Sequence, residues 1–269
     1  MESVWWVIKQ LWEKGLIYQG VKVMPFSTAL GTVLSNFEAG SNCQNVQDPA
    51  VTVLFKLNNE DAYVAAWTTT PWTLPSNLAL CVNANIPYIK VKDQDSGALI
   101  YIAEARLEAL SKHKNIELIS QHNASDLIGQ LYEPLFPYFK SLVNEGAFQI
   151  YADDYVTTDS GTGVVHQAPA FGEDDYRVMK SNGATALVCP IDFEGKFTAE
   201  VSDYEGLYVK DADKEIIRCL KDQGKLYIQE VIDHSYPFCP RSDTPIIYRT
   251  IPSWYVKVEA IKERLLAAN

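Results

Sequence analysis

The chain has 269 residues, of which 47% are hydrophobic, so it can bury a large core. This composition excludes intrinsically disordered chains and small disulfide-stabilised scaffolds. The 23 Lys and Arg residues are outnumbered by 34 Asp and Glu residues, which gives a formal net charge of −11. A basic surface that grips a polyanion along its length is therefore excluded, and any contact with nucleic acid has to be local.

The predicted elements begin with an amphipathic helix and continue mainly as short strands. Val4, Ile8 and Leu11 recur at helical spacing before Gly15, which predicts a helix with a glycine stop. Apolar runs between turn residues predict strands at 50–57, 62–67, 78–82, 88–92 and 98–103. Helical patterns interrupt these strands at 103–112, 174–181 and 211–223. Without a strict strand–helix–strand alternation, the pattern predicts an α+β fold around a barrel or sandwich.

The two ends of the chain differ from its middle. Each end carries a helix whose apolar face lacks a partner within its own segment. The sequence predicts an incoming stalk segment at 1–47, with a helix and an extended stretch. It further predicts a β-barrel-like core with peripheral helices at 48–234, and an outgoing stalk segment with a C-terminal helix at 235–269. The two stalk segments are expected to enter and leave a larger protein.

The cysteines and the apolar runs indicate the cellular setting. Five cysteines are scattered without a Cys-x-x-Cys pair, which predicts neither a disulfide framework nor a zinc site. No stretch reaches about 18 uncharged apolar residues, and the N-terminal helix carries charges, so neither a membrane span nor a signal peptide is indicated. We expect a cytoplasmic protein in a reducing compartment, without contact to a membrane.

The first chemical motif is TTTPWTLPSN at 68–77, a polar stretch that two prolines stiffen. In one interpretation it is a pocket rim, where hydroxyl groups orient water and a small polar substrate while Trp72 is a stacking plate. Those hydroxyls belong to Thr68, Thr69, Thr70 and Thr73. In the other interpretation it is a turn between two strands, which the residues alone favour.

The second motif is GTGVVHQAPAFGEDD at 161–175, which turns the backbone sharply around one histidine. Asp174 is expected to be the N-cap of the following helix, whereas Asp175 is less needed for that purpose. A carboxylate in a water-excluding pocket attracts an ammonium group, which is the functional interpretation of Asp175. His166, as a lone histidine, is more often a hydrogen-bonded structural residue than a catalyst.

Other hydrolytic chemistries find no support in the sequence. No G-x-S-x-G, H-E-x-x-H or H-x-E with P-C-x-x-C pattern is present, which argues against serine-hydrolase, zinc-protease and zinc-deaminase sites. His113 and His122 lie in polar stretches and are expected at the surface, whereas His234 is less easily assigned.

The two motifs together resemble the editing insertion, or connective polypeptide, of isoleucyl-tRNA synthetases. The resemblance rests on WTTTPWTLPSN (67–77) and GTGVVHQAPAFGEDDY (161–176), with matching flanks at 14–38 and 235–258. The valyl and leucyl enzymes carry Arg where this chain has Thr70, so the isoleucyl branch fits best. The Cys-x-x-C pairs of bacterial relatives are missing at 26–30 and 239–242, which resembles the eukaryotic cytoplasmic type. The H-I-G-H and K-M-S-K-S signatures are also missing, as in an excised insertion domain.

This resemblance implies a role for each site residue. A synthetic site discriminates against a substrate that lacks one methylene by no more than about 1–3 kcal/mol, and valine in place of isoleucine is the known example. A second site therefore hydrolyses the valyl ester. Asp175 matches the residue that holds the α-ammonium, and His166 matches the residue that limits the pocket. The matched polar positions around the ester and its water are Thr68, Thr69, Thr70, Thr73 and Asn77. Trp72 and Tyr236 match aromatic positions near the terminal adenosine.

The resemblance also implies the partners. These are the acceptor end of isoleucine tRNA mischarged with valine and the remainder of the synthetase in cis, with no cofactor and no metal. The few remaining phosphate contacts are expected at Arg241, Arg249 and Lys257 in the near-neutral C-terminal quarter. Two alternatives stay open, namely a non-catalytic module that binds an amino acid or an acceptor end, and a β-rich hydrolase with His166 as general base.

Overall fold

A computed structural model describes all residues 1–269, which form an α+β fold of six helices and twelve strands. The helices are α1 (Glu2–Glu13), α2 (Asn36–Gly40), α3 (Leu107–Ser111), α4 (Glu173–Ser181), α5 (Val209–Asp222) and α6 (Lys262–Ala268). The first six strands are β1 (Ile17–Ser27), β2 (Thr32–Val33), β3 (Cys43–Lys56), β4 (Tyr63–Thr68), β5 (Ala79–Val82) and β6 (Tyr88–Asp93). The last six are β7 (Leu99–Ala103), β8 (Ile116–His122), β9 (Gln149–Ala152), β10 (Val165–Gln167), β11 (Leu226–Pro237) and β12 (Ile247–Val256).

A mixed, curled sheet of nine strands forms the centre of the molecule. Seven strands follow the order β8-β6-β7-β4-β10-β5-β9, while β3 pairs with β4 and β11 pairs with β3. One edge of β4 is shared, because its first residues pair with β7 and Trp67 near its end pairs with Val165 of β10. This sharing places the end of β4 beside β10, which brings the two sequence motifs together.

The main core packs against one face of this sheet. One cluster of 45 buried residues extends from the strands to α4 and α5. Phe55 of β3 lies edge-on to Tyr132 with ring centroids 5.3 Å apart, and both side chains are fully buried. Each buried aromatic or branched aliphatic side chain of this kind contributes about 1.5–3 kcal/mol to stability. The sheet is therefore a rigid support for the loops at its edges.

Two antiparallel ribbons connect the core with the chain ends. In the outer ribbon, β1 pairs with β12 from Ile17 opposite Val256 to Phe26 opposite Ile247. In the inner ribbon, β3 pairs with β11 from Val53 opposite Leu226 to Cys43 opposite Pro237. The inner strands run through the predicted boundaries at 47/48 and 234/235 without interruption, so the residues predicted as stalk segments continue directly into strands of the central sheet.

The predicted elements agree with this structure. The strands expected at 62–67, 78–82, 88–92 and 98–103 are β4, β5, β6 and β7, and the expected helices are present. The strand expected at 50–57 begins seven positions earlier, because its first half pairs with β11 as the inner ribbon. None of the helices is both long and apolar enough to span a membrane.

Candidate functional site

The polar motif at 68–77 begins at the end of β4 and continues as a 3₁₀ turn, Pro71–Ser76. Proline is favoured at the first position of such a turn, since that amide has no partner within the turn. The motif is a turn between two strands, as one interpretation expected, and it also borders a cavity, as the other required. The neighbouring strand β10 places His166 opposite Leu80 and Gln167 opposite Ala79.

His166 is held by hydrogen bonds at both ring nitrogens. Asn77 Nδ2 lies 2.9 Å from the carbonyl of Ala79, which identifies it as the amide nitrogen, and 2.7 Å from His166 Nδ1. Nδ1 is therefore the acceptor, so Nε2 carries the proton and donates to Thr73 Oγ1 at 2.9 Å. Tyr132 completes the chain by donating its hydroxyl to Asn77 Oδ1 at 2.7 Å.

Burial keeps this imidazole neutral. His166 is only 7% exposed, and desolvation lowers its pKa from 6.5 to about 3. A general base needs a pKa near the working pH and a free nitrogen, whereas both nitrogens of His166 have partners. The geometry thus disfavours the general-base alternative and favours a neutral side chain that forms part of a wall.

The low pKa of His166 predicts a pH-dependent stability. Between pH 6.5 and about 3 the unfolded chain binds a proton that the folded chain does not, so this contribution to stability is lost as the pH falls. The loss amounts to about 1.4 kcal/mol per pH unit, or about 2 kcal/mol at pH 5. Urea unfolding of this chain and of His166→Gln from pH 7 to 4.5 measures it.

His166→Gln provides the control for the buried acids. These acids change the pH dependence of stability in the opposite direction, and they do so equally in the original chain and in the variant. The pKa values of Asp175 and Asp213 are raised to about 6 and about 7, so these two carboxyls favour the folded state as the pH falls. The difference between their pH profiles of unfolding free energy therefore isolates the contribution of His166. Parallel pH profiles would contradict the assignment of a buried neutral imidazole.

The threonines of the motif form a connected set of hydroxyl groups. Thr73 Oγ1 donates to the carbonyl of Thr70 at 2.8 Å and lies 3.2 Å from Thr70 Oγ1. Thr70 Oγ1 lies 3.2 Å from Thr68 Oγ1, which also accepts the Thr70 amide at 3.1 Å. Thr70 and Thr73 are thus occupied mainly by contacts within the protein, which fixes the position of the Thr68 hydroxyl.

A cavity of about 250 Å³ lies between the two motifs. Its lining includes the predicted residues Thr68, Thr69 and His166 and, in addition, Tyr155, Thr157 and Gly161. The volume suits a small amino-acid side chain with part of an ester, and hydroxyl groups line one side. The structure therefore brings three of the predicted site residues to one cavity.

Asp175 lies beside this cavity and is joined to it through Tyr155. Asp175 Oδ2 accepts the amide of Ala168 at 2.9 Å, and Oδ1 accepts the Tyr155 hydroxyl at 3.4 Å. The Tyr155 hydroxyl in turn accepts from Gln167 Nε2 at 3.3 Å. Burial raises the pKa of Asp175 to about 6, although these two donors oppose the rise. A partly buried carboxylate with few donors is suited to bind a cation.

The start of α4 differs from the expected one. The N-cap residue is Gly172, and Asp174 is instead the second residue of the helix, where it pairs with Arg177 at 3.0 Å. The prediction of Asp174 as N-cap was wrong, because the helix already begins at Glu173. A Cβ at the capping position 172 would lie 2.5 Å from Asp175 Oδ2. Glycine at position 172 allows this close approach of the carboxylate.

The two aromatic residues expected near an adenosine do not line the cavity. Trp72 is 3% exposed and packs edge-on against Phe171, with ring centroids 4.9 Å apart. A buried indole has no free face, so its assignment as a stacking plate was wrong. Tyr236 of the inner ribbon is partly buried, donates its hydroxyl to the carbonyl of Ile246 at 2.8 Å and carries Lys210 Nζ 4.4 Å above its ring.

The expected phosphate contacts also need one correction. Arg249 is 7% exposed, lies over the rings of Phe26 and Phe193 and donates to the carbonyl of Asp192 at 2.5 Å. Its side chain is part of the packing and is not available to a phosphate. Arg241 is half-exposed but pairs with Glu38 at 3.1 Å. Lys257 lies at the outer end of the outer ribbon, 5.7 Å from the ring of Tyr18.

The sequence interpretation missed several residues that support the site. Tyr155 and Tyr132 come from loops, and Asp213 comes from α5, where its carboxylate accepts the amide of Trp72. Gln167 follows His166 directly, is fully buried and leaves its Oε1 without a partner. Only Gln167 lay within a motif, and its place next to His166 on a short strand was the one signal that could have identified it.

Comparison with known proteins places the chain in a family. The sequence model of the class I tRNA synthetases (I, L, M and V) matches residues 1–269. The chain is 54% identical to isoleucine–tRNA ligase of Bdellovibrio bacteriovorus and to cytoplasmic isoleucine–tRNA ligase of Mus musculus. Both matches include the whole chain, but it covers only 26% and 22% of these relatives.

A solved structure agrees with the fold. The leucyl-tRNA synthetase domain GlLeuRS-CP1 superposes with a TM-score of 0.53 at 15% identity, over 67% of this chain and 98% of that domain. Similarity at this level concerns the fold alone. The chain therefore belongs to the class I tRNA synthetases (I, L, M and V), in which it resembles about a quarter of an isoleucine–tRNA ligase and shares its fold with GlLeuRS-CP1.

Proposed function

We propose that this chain hydrolyses the aminoacyl ester of valyl-tRNA that is specific for isoleucine, and that it rejects the isoleucyl ester by the size of its cavity. The observation that carries the proposal is the cavity of about 250 Å³ between Thr68, Thr69 and a neutral His166, with the Asp175 carboxylate beside it. The substrate ester has an ammonium group, a small apolar side chain and a carbonyl, and each finds a matching group here.

Asp175 binds the α-ammonium of the substrate. Its carboxylate is partly buried, and its two protein donors leave acceptor positions free. Ion pairing is strong where water is excluded, so an ammonium group gains more here than at an exposed acid. Tyr155, which lines the cavity and donates to Asp175, fixes the direction of the carboxylate.

His166 sets the size limit for the substrate side chain. Its ring cannot rotate freely, because Asn77 and Thr73 hold its two nitrogens. A neutral, fixed ring is a steric wall that a valyl side chain tolerates and the additional methylene of isoleucine does not. Such a clash acts against the larger substrate, which a void in the synthetic site cannot do, and overpacking a rigid site costs about 1–3 kcal/mol.

A water molecule performs the hydrolysis, and no protein nucleophile takes part. The hydroxyl groups of Thr68 and Thr69 orient the water, whose oxygen attacks the ester carbonyl. The bond between the carbonyl carbon and the ribose oxygen breaks, and the free ribose hydroxyl assists transfer of the water proton to the leaving oxygen. An aminoacyl ester is already reactive, so positioning supplies most of the acceleration.

The partners follow from the same proposal. The acceptor end of the mischarged tRNA supplies the ester, and the remainder of the synthetase, in cis, supplies most of the phosphate contacts. This division is consistent with the net charge of −11 and with the internal contacts of Arg249 and Arg241. Cytoplasmic ligases among the relatives support a location in the cytoplasm.

The test uses the complete synthetase that contains this segment, with valyl-tRNA and isoleucyl-tRNA for isoleucine as substrates. We expect rapid release of valine, slow release of isoleucine and no valyl-protein after acid quenching. A valyl ester trapped on the protein would contradict the attack by water. Binding of valyl-tRNA without release of valine would indicate a non-catalytic binding module instead.

Gly172→Ala is expected to lower valyl-ester hydrolysis about 10-fold. The new Cβ would lie 2.5 Å from Asp175 Oδ2, so the carboxylate has to move away from its position beside the cavity. Displacement of the carboxylate weakens its ion pair with the substrate ammonium by about 1.4 kcal/mol or more, which corresponds to about 10-fold in rate. The rate of valine release by the complete synthetase measures the effect.

Gly40→Ala is the matched control for this substitution, because no atom lies within 4 Å of its new Cβ. This variant is expected to keep the rate of the unchanged enzyme. Equal rates for Gly172→Ala and Gly40→Ala would contradict a role for the close contact between Gly172 and Asp175.

A further inference from the structure

A carboxylate from α5 holds the N-terminal end of the 3₁₀ turn Pro71–Ser76. Asp213 Oδ1 accepts the backbone amide of Trp72 at 2.8 Å, across 141 positions of the chain. Asp213 is 4% exposed. Because Pro71 has no N–H group, the amide of Trp72 is the first donor that the turn offers. The distant helix thus fixes the start of the polar motif.

This contact is connected with the cavity through one residue. Thr73 follows Trp72, accepts from His166 Nε2 at 2.9 Å and donates to the carbonyl of Thr70 at 2.8 Å. The Trp72 ring also packs against Phe171, the residue before Gly172. A shift of the turn would therefore move the partner of His166 and the support of the loop that leads to Asp175.

The surroundings of Asp213 contain few charges. Lys210 lies one turn earlier on α5, Asp48 lies on β3, and His234 and Tyr236 lie on β11. Asp48 pairs with Lys210 at 2.9 Å and lies 3.1 Å from His234 Nε2, so Lys210 is largely engaged with Asp48. Burial raises the pKa of Asp213 to about 7, while Lys210 and the Trp72 amide lower it and Asp48 raises it.

We propose that Asp213 is a positioning residue for ester hydrolysis, which holds the turn so that Thr73 keeps its hydrogen bond to His166 of the cavity lining. The inference rests on the proposed function and adds a residue to it. Asp213 does not line the cavity and is not a catalytic residue. An ionised carboxylate is the stronger acceptor for the Trp72 amide.

The experiment compares the complete synthetase with its Asp213→Ala, Asp213→Asn and Asp211→Ala variants. Asp213→Ala is expected to lower kcat for valyl-ester hydrolysis about 10-fold with little change in KM, since the lost hydrogen bond acts on alignment. Asp213→Asn keeps an acceptor oxygen and is expected to restore kcat to within about 3-fold. Asp211 is exposed on the same helix, so its variant keeps the original rate.

Two further readouts separate positioning from general stability. The pH profile of kcat should lose a component with a midpoint near 7 in Asp213→Asn, because a carboxamide does not ionise. Amide exchange of the segment 69–78 should be faster in Asp213→Ala than in Asp213→Asn, even where activity is too low to measure. Unchanged exchange, or an unchanged pH profile in Asp213→Asn, would overturn the inference.

The same assays distinguish this inference from the proposed function. If Asp213→Ala is fully active while Asp175→Ala is inactive, Asp213 has no positioning role. Ester hydrolysis at this site would still be supported by that result. Full activity in both variants would remove the proposed site as well.

Discussion

Asp175→Ala is expected to slow valyl-ester hydrolysis about 100-fold. The substitution removes the carboxylate that accepts the hydroxyl of Tyr155 in the cavity lining, and with it the proposed partner of the α-ammonium. Loss of one side of a partly buried charge pair costs about 2–5 kcal/mol, and 2.7 kcal/mol corresponds to 100-fold. Single-turnover release of valine from valyl-tRNA by the complete synthetase measures this loss.

Asp174→Ala is the matched control, because Asp174 is a neighbouring acid that is exposed and pairs with Arg177. Its rate should remain within about 2-fold of the original, as is typical of exposed ion pairs. An Asp175→Ala enzyme as fast as Asp174→Ala would rule out Asp175 as the ammonium site.

The same residue predicts how the rate depends on pH. The pKa of Asp175 is about 6, so its carboxylate is charged above this pH and takes up a proton below it. The rate of enzymatic valine release should therefore fall as the pH decreases through 6, after subtraction of the spontaneous reaction. In Asp175→Asn the remaining rate should show no such decrease.

His166→Ala is expected to increase hydrolysis of the isoleucyl ester by at least about 10-fold. Removal of the ring leaves space for the additional methylene, whose exclusion is worth about 1–3 kcal/mol. The valyl ester should remain a substrate, because Asp175 and Thr68 are unchanged. The ratio of the two deacylation rates, measured with the complete synthetase, reports this change.

Two control variants separate the loss of the size limit from a general loss of stability. His166→Ala leaves Asn77 and Thr73 without their partner, which costs stability as well as size. His166→Gln fills most of the space and should still discriminate against isoleucine. His113→Ala alters an exposed histidine that pairs with Glu230, and should leave the ratio unchanged. A constant ratio in His166→Ala would remove its role as a size limit.

The sequence predicted the strands around the candidate site well, because local pattern and burial agree there. Alternating apolar residues predicted β4 and β5, and the intervening polar motif had to lie at their ends. The pairing of Val165 with Trp67 then brings His166 to the threonines. The strands themselves depend on short-range sequence pattern, which a single chain displays directly, whereas the pairing of Val165 with Trp67 joins distant segments.

The errors concern residues whose environment is determined by distant segments. Trp72 lies in a polar motif and was expected to be accessible, but Phe171 and α5 cover it. Arg249 was expected to be free, but Phe26 and Phe193 enclose it from two other segments. Neither the composition nor the spacing of a motif contains this information.

Asp213 illustrates the same limit for a polar residue. In the sequence it belongs to an acidic helix start, and such residues commonly interact with the helix dipole at the surface. Its burial follows from the packing of α5 against the 3₁₀ turn, more than a hundred residues away. The start of α4 was mispredicted for a related reason, because the close approach of Asp175 requires glycine at the capping position.

A structure of the complete synthetase with a non-hydrolysable valyl-adenosine analogue would show whether Asp175 binds the substrate ammonium group. The quantity to measure is the distance between the α-ammonium nitrogen and the nearest carboxylate oxygen of Asp175. We expect a distance of about 3 Å, with the valyl side chain against the ring of His166. An analogue that binds elsewhere, or whose ammonium group lies beyond hydrogen-bonding distance of Asp175, would contradict it.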